Sequence, residues 1–255
     1  MSRTEKAVIY YLFHSGFAVE YGDYFMVFDY YKPPNDALNK GLTKNEMINK
    51  IKKYKYPFVF VSHSHYDHFN PEIFSWKKYN SSRTYVLSND VRQADGETGK
   101  HPGADYYYLS AYEQMEKHGL LVSTFGSTDI GVSFMIKIGE FGIFHAGDLN
   151  WWHWAEESTQ QELEEEEKKF KEEAARIHGE NIDIMFFPVD PRLGDYYWIG
   201  GAYMLETFKP RLFVPMHFGE NSYIAQSFAE RMKHLGASIA EITHQGQGID
   251  FHLST

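Results

Sequence analysis

The chain has no cysteine. Disulfides, thiolate metal sites and cysteine nucleophiles are therefore excluded, and any metal must be held by His, Asp or Glu. No apolar run approaches the roughly 20 residues needed to span a bilayer, and the opening Met1-Ser2-Arg3-Thr4-Glu5-Lys6 lacks a signal-peptide core. A cytoplasmic protein without a membrane span is the expectation. Positive charge is scarce: 25 Lys and Arg stand against 35 Asp and Glu, a net charge of −10. Without a basic stripe, nucleic acid is not expected as a partner. The chain also lacks a Gly-x-Ser-x-Gly elbow, a Walker loop and a Gly-x-Gly-x-x-Gly fingerprint. Serine-esterase, P-loop and dinucleotide chemistry thus have no motif to rest on.

What is present is apolar and aromatic: 43% hydrophobic and 17% aromatic residues in a chain of 255 describe a globular protein with a large core. Much of the negative charge sits in residues 156–176, which carry nine Glu against three Lys and one Arg. Glu164/Lys168, Glu165/Lys169 and Glu167/Lys171 are spaced i,i+4, and Leu163, Phe170, Ala174 and Ile177 mark one apolar stripe. This reads as a surface helix, either a solvated face or a substrate lid.

Elsewhere the chain alternates strand and helix signals. Val8 to Glu20 reads as extended, followed by a turn at Tyr21-Gly22-Asp23 and a strand over Tyr24 to Tyr31. Thr43 with Glu46 predicts a capping box for a helix through Lys53. Strands are expected at 57–61, 84–88, 120–126 and 182–187, in a hairpin over 131–148 around Gly139-Glu140, at 211–216 and near 238–243. Helices are expected from Asn70-Pro71, around 200–208 and at 223–235. Two sheets face to face, with helices outside and a site at one edge, fit this order. No Pro/Gly/Ser-rich linker divides the chain, so one domain over 1–255 is expected, with the acidic helix inserted at about 155–178.

The stretch "VSHSHYDHFN" (61–70) then requires an account, because it sets His63, His65, Asp67 and His68 directly behind the apolar run 57–61. Such groups are costly to bury without a partner. In an extended segment residues 63, 65 and 67 share a face. A turn would aim His63 and His65 at one point and Asp67 and His68 at a neighbouring one, a layout for two metal ions a few ångströms apart. A hydroxide activated by such ions attacks a carbonyl or phosphorus without a serine or cysteine nucleophile.

"SHSHYDHF" resembles the His-x-His-x-Asp-His signature of the metallo-β-lactamase-fold hydrolases, and the resemblance runs along nearly the whole chain. It implies a four-layer αββα sandwich of two mixed β-sheets, helices on both outer faces, with one or two metal ions at one edge. Within that superfamily the chain is similar to the group of phosphorylated-ascorbate lactonases and N-acylphosphatidylethanolamine phospholipase D. "FHSGFAVEYGDYFMVFDYY" resembles that group's Gly-His-Ala-Ser-Phe strand and ends at Asp29, which would brace the metal loop from behind. In "IFHAGDL" the resemblance makes Asp148 the carboxylate bridging both metals, and "RLFVPMHFGE" makes His217 the last histidine ligand. Asp67, His68 and His217 would hold one ion together with Asp148.

One departure concerns the other ion. The family supplies a further histidine where this chain reads "TFGSTDIGVSF". His63, His65 and Asp148 are left without it, and Asp129, His14 or His145 would have to substitute. His101 and His118, in the same interval, read as surface loop residues. A shell richer in oxygen favours Mn or Fe over Zn somewhat.

Around the centre, His153 and His14 are each either a proton donor to the leaving group or packing. Trp151, Trp152 and Trp154 either anchor the acidic helix or line a substrate pocket. Arg192 either grips a substrate anion or pairs with Asp190 or Asp195. The implied function is a metal-dependent hydrolase, with Asp67 and Asp148 at the reaction centre and a small-molecule ester, lactone or phosphodiester as substrate; a homo-oligomer is compatible. An RNase Z-like nuclease and a non-catalytic protein with a degenerate metal centre are the alternatives.

Overall fold

The computed structural model describes residues 5–34, 41–94, 105–177 and 179–253. The chain divides into two compact units, Met1–Leu109 with Thr243–Thr255, and Ser110–Ile242. Each is built on one mixed sheet, so the α/β class expected from the sequence is what forms.

In the first unit the strands are β1 (Glu5–Phe13), β2 (Gly16–Tyr21), β3 (Tyr24–Phe28), β4 (Tyr56–Val61), β5 (Thr84–Ser88), β6 (Asp105–Leu109) and, from the end of the chain, β13 (Gly248–Leu253). Their order is β13-β1-β2-β3-β4-β5-β6. β3 through β6 are parallel to one another. β2 is antiparallel to both β1 and β3, so β1 runs the same way as β3. The central strands are buried on both faces: Phe25, Met26, Val27 and Phe28 of β3 and Phe58 and Phe60 of β4 are all fully buried. This is why 57–61 reads as a continuous apolar run and not as an alternation. Burying one such phenylalanine contributes about 1.5–3 kcal/mol. One core cluster packs Val59, Val61, Tyr85 and Leu87 with Met47, Ile48 and Ile51 of helix α1 (Lys44–Lys53). The expected capping box forms, with both Thr43–Glu46 bonds present.

Asn70 Oδ1 accepts from the Glu72 N–H at the start of α2 (Glu72–Ser75), one residue from the expected cap. A further short helix, α3 (Val91–Ala94), follows β5.

In the second unit the strands are β7 (Gln114–Lys117), β8 (Leu120–Phe125), β9 (Ser133–Ile138), β10 (Phe141–His145), β11 (Ile184–Pro188) and β12 (Leu212–Met216), in the order β12-β11-β10-β9-β8-β7. β10, β11 and β12 are parallel. β9 is antiparallel to both β8 and β10, so β8 also points with β10. The helices are α4 (Gln160–Ile177), α5 (Ile199–Phe208) and α6 (Tyr223–Met232). No helix among the described residues is long and apolar enough to cross a membrane.

Three expectations are corrected. The extended segment from Val8 to Glu20 is two antiparallel strands reversing at His14-Ser15. The final strand lies at 248–253, while residues 238–243 contribute only a single parallel bridge, Ile239 to Phe213. On α4 only Glu167/Lys171 pairs as expected. Lys168 reaches Glu172 at 3.8 Å and Lys169 reaches Glu166 at 2.7 Å. Gln160 and Gln161 donate to Glu164 and Glu165.

Candidate metal-binding clusters

In each unit, polar residues gather just beyond the carboxyl ends of strands that point the same way, which is where open α/β sheets place their ligands. In the first unit β1 ends before His14, β3 before Asp29, β4 before Ser62-His63, and β5 before Asn89-Asp90. In the second unit β8 ends before the loop to Asp129, β10 before Ala146-Gly147-Asp148, β11 before Val189-Asp190, and β12 before His217.

The histidine loop of the first unit turns as anticipated. The amides of His68 and Phe69 both donate to the His65 carbonyl, at 3.0 Å each. The turn separates His63 and His65 from Asp67 and His68. One nitrogen of each of His63 and His65 lies within 4.8 Å of the other, and their rings meet edge-on at 4.6 Å. Donor atoms of His14, Asp67 and His68 form a second group, again within 4.8 Å of one another. His14 Nε2 stands 3.5 Å from Asp67 Oδ2.

Behind this loop lies Asp29, which is fully buried. Its Oδ1 accepts the Ser62 N–H at 2.7 Å, and its Oδ2 accepts the Ser62 hydroxyl at 2.6 Å and His68 Nδ1 at 2.7 Å. Ser62 has one hydroxyl hydrogen, and it goes to Asp29. At 3.0 Å the Ser62 oxygen must therefore accept from His63 Nδ1. Both rings consequently carry their proton on Nδ1 and present the Nε2 lone pair, the form in which imidazole binds a metal. Asp90 Oδ2 accepts the Ser64 N–H at 2.6 Å and holds the loop from the β5 side.

The second unit repeats this logic. Asp190, 1% exposed, accepts His217 Nδ1 at 2.9 Å, so His217 also presents Nε2. That nitrogen lies 3.1 Å from Asp148 Oδ1. A lone pair facing a carboxylate oxygen at this distance is unfavourable unless a cation or a proton lies between them. Asp148 and Asp129 bring carboxylate oxygens within 4.8 Å of each other. Thr128 fixes that approach: its hydroxyl donates to the Asn150 carbonyl at 2.7 Å and accepts the Asn150 N–H at 2.9 Å. The donor set is imidazole and carboxylate throughout, which suits Zn, Mn or Fe.

Two carboxyls are shifted in the direction such sites need. Burial works to raise Asp67, but the hydrogen bond from His14 and the charges of His68 and His14 outweigh it and hold the group well below the usual carboxylate range. Burial likewise opposes ionisation of Asp190, yet the hydrogen bonds from His217 and Arg192 bring it down to about 2.

The remaining expected residues fall as follows. Arg192 is forked onto Asp190, with Nε at 2.8 Å and Nη2 at 2.5 Å from Oδ2, so its ion-pair reading holds and the guanidinium is committed there. Trp151 stacks on Phe170 of α4 with ring centres 6.1 Å apart, which is the anchoring reading. Trp152 donates to the Asp148 carbonyl at 3.0 Å and sets its ring edge against His217. His153 lies 4.2 Å ring to ring from Tyr196 and lines a cavity of about 260 Å3 with Trp154, Glu156, Arg192 and Asp195. His145 is buried and accepts the Gly147 N–H at 3.2 Å through Nδ1. His118 is exposed at the β7–β8 turn, and His101 lies outside the described residues. Sequence reasoning missed Ser62, Asp90 and Thr128, and it saw Asp190 only as an ion-pair partner for Arg192. The signal for Asp190 is the one that found Asp148, an aspartate just past an apolar strand.

No family model matches the sequence, and no curated protein matches it. Solved structures do match. Igni18, a metallo hydrolase from the hyperthermophilic archaeon Ignicoccus hospitalis, is 15% identical over 98% of this chain and 100% of that one, with a TM-score of 0.67. The metallo-β-lactamase fold protein YhfI from Bacillus subtilis is 12% identical over 97% and 100%, with a TM-score of 0.61. CmlA, a diiron β-hydroxylase from Streptomyces venezuelae, is 10% identical over 99% of this chain and 55% of its own, with a TM-score of 0.59. At these identities the likeness shows the fold, which is the metallo-β-lactamase fold. That fold carries a hydrolase and a hydroxylase alike, so the reaction has to be argued from the side chains.

Proposed function

We propose that the chain is a metal-dependent hydrolase acting on a small-molecule ester, lactone or phosphodiester. The observation that carries this reading is the matched construction of the two clusters. His63 and His217 stand just past strand ends and His68 lies in the turned loop behind β4, and each has Nδ1 on an oxygen acceptor, which sets the tautomer whose Nε2 carries the metal-binding lone pair. In this reading His63, His65, Asp67 and His68 are the metal-binding residues of the first unit, and Asp129, Asp148 and His217 those of the second. Asp129 takes the place of the histidine missing from "TFGSTDIGVSF".

When bound, such cations lower the pKa of water and stabilise negative charge on the reacting oxygen. The chain's own groups do the rest. Asp29 and Asp190 keep their imidazoles in the binding tautomer and orientation. The depressed Asp67 stays ionised throughout the neutral range. His153 supplies the leaving group's proton, and the cavity it lines with Trp154 and Arg192 takes the substrate. Among known activities, those of the phosphorylated-ascorbate lactonase and N-acylphosphatidylethanolamine phospholipase D group are the reference for choosing substrates.

The test is a panel of chromogenic esters, lactones and phosphodiesters on protein loaded with Zn, Mn or Fe. His68→Ala and His217→Ala are expected to lose bound metal and to lower kcat/KM by about a hundredfold or more. Activity that survives both substitutions would refute the assignment.

A further inference from the structure

We propose that Glu173, on the inner face of the acidic helix, is a positioning residue: it sets the backbone of the 126–129 loop and through it the metal affinity at Asp129. The proposal rests on the reading of Asp129 as a metal-binding carboxylate.

Glu173 breaks the pattern of its own helix. α4 buries Phe170, Ala174 and Ile177, and Glu173 lies with them on that face while the helix's other glutamates are solvated or partly so. A carboxylate in such a position is costly unless donors surround it. Here Gly126 N–H donates to Oε1 at 2.6 Å, the Tyr112 hydroxyl donates to Oε2 at 2.7 Å, and Arg176 Nε lies 3.6 Å from Oε2. The Arg176 guanidinium also sits over the Tyr112 ring at 5.0 Å. Both ends of the β7–β8 hairpin, at Tyr112 and Gly126, are thus tied to one turn of α4.

Gly126 is the first residue past β8, three before Asp129. Its peptide is held on both sides: Glu173 takes the N–H, and the Ser133 hydroxyl donates to the carbonyl at 3.2 Å. A Cβ at Gly126 would lie 2.9 Å from both Cδ and Oε2 of Glu173 and 3.1 Å from Oε1. The residue is not in the left-handed region, so a side chain there would conflict with the Glu173 carboxylate, which would have to shift off the Gly126 N–H, and not with the backbone conformation. Thr128 then clamps the loop to Asn150. Asp129 itself is exposed, and the anchors at Gly126 and Thr128, with its own N–H donating to Ser127 Oγ at 3.1 Å, hold the backbone that carries its carboxylate. The acidic helix thereby acquires a role beyond solvation, as the element from which one anchor of that loop is built.

The test is calorimetric titration of metal-free protein with Zn2+, without reference to activity. Glu173→Ala is expected to weaken one zinc site about 10- to 100-fold. Glu173→Gln, whose amide oxygen still accepts the Gly126 N–H, is expected to recover most of that loss. Phe170→Leu loosens the packing of α4 and is expected to lower Tm without changing zinc affinity. Gly126→Ala is expected to weaken zinc in the native background and not in the Glu173→Ala background, where the clash is gone. It carries the same test should Glu173→Ala fail to fold. Unchanged affinity in Glu173→Ala, or an equal loss in Phe170→Leu, would overturn the positioning role while leaving the metal reading intact. A native protein that takes up no zinc would overturn the metal reading and the proposal with it.

Discussion

His14, Asp29 and His217 hold φ values of 58°, 41° and 67°, the left-handed region that side chains other than glycine seldom occupy. Each such residue costs on the order of 1–3 kcal/mol and persists where its surroundings fix it. All three sit at the donor clusters and stand directly past a strand end, where the turn re-aims the side chain. The sequence does not single these positions out, because Asp and His enter that region more often than most side chains but still seldom. His63, His65, Asp67, His68, Asp148 and His217 stood out in the sequence because they crowd into residues 63–68 or follow an apolar run. Ser62 was not, since a serine carries no chemistry until its hydroxyl is seen between Asp29 and His63. Asp29→Asn retains the volume but replaces one accepting oxygen with a donor, opposing Ser62 or His68. Metal affinity is expected to drop about 10- to 100-fold with the fold retained, measured by titration alongside circular dichroism.

Elements were legible where one signal dominated. β5 falls on the residues expected, as does the α1 capping box. β1 and β2 were fused because the reversal at His14-Ser15 carries little turn chemistry before Gly16. β13 was missed although Ile249, Phe251 and Leu253 alternate with polar residues, because it is a short edge strand in which only Phe251 is buried. α1 is tied to the sheet by a polar cluster in which Lys50 and Tyr54 both reach Glu20 of β2. Burial alone would raise Glu20, but bonds from Lys50, Tyr54 and Tyr10 prevail and hold it below its usual value. A lowered carboxyl stabilises the fold above its unfolded pKa, about 4.3, and that stability is lost as pH falls through the folded value. Urea titrations should therefore show Glu20→Gln less stable than the native protein at pH 7. The gap should close as the pH is taken below about 4. A gap independent of pH would show that packing and not charge ties α1 to the sheet.

For the whole molecule, composition excluded cysteine chemistry and weighed against nucleic acid, while the His-x-His-x-Asp-His motif pointed to the fold that the structural comparisons show. Substrate choice was not legible in the sequence, since a cavity such as the one lined by residues 153–157 and 192–196 exists only once the chain is folded. The central claim is that these imidazoles and carboxylates hold catalytic metal. Its most direct test is elemental mass spectrometry on untagged protein after gentle purification, set beside His68→Ala and His217→Ala. The account predicts one or two ions of Zn, Mn or Fe per native chain and a clear loss in both variants. Metal-free native protein that gains neither metal nor hydrolytic activity when those ions are supplied would contradict it.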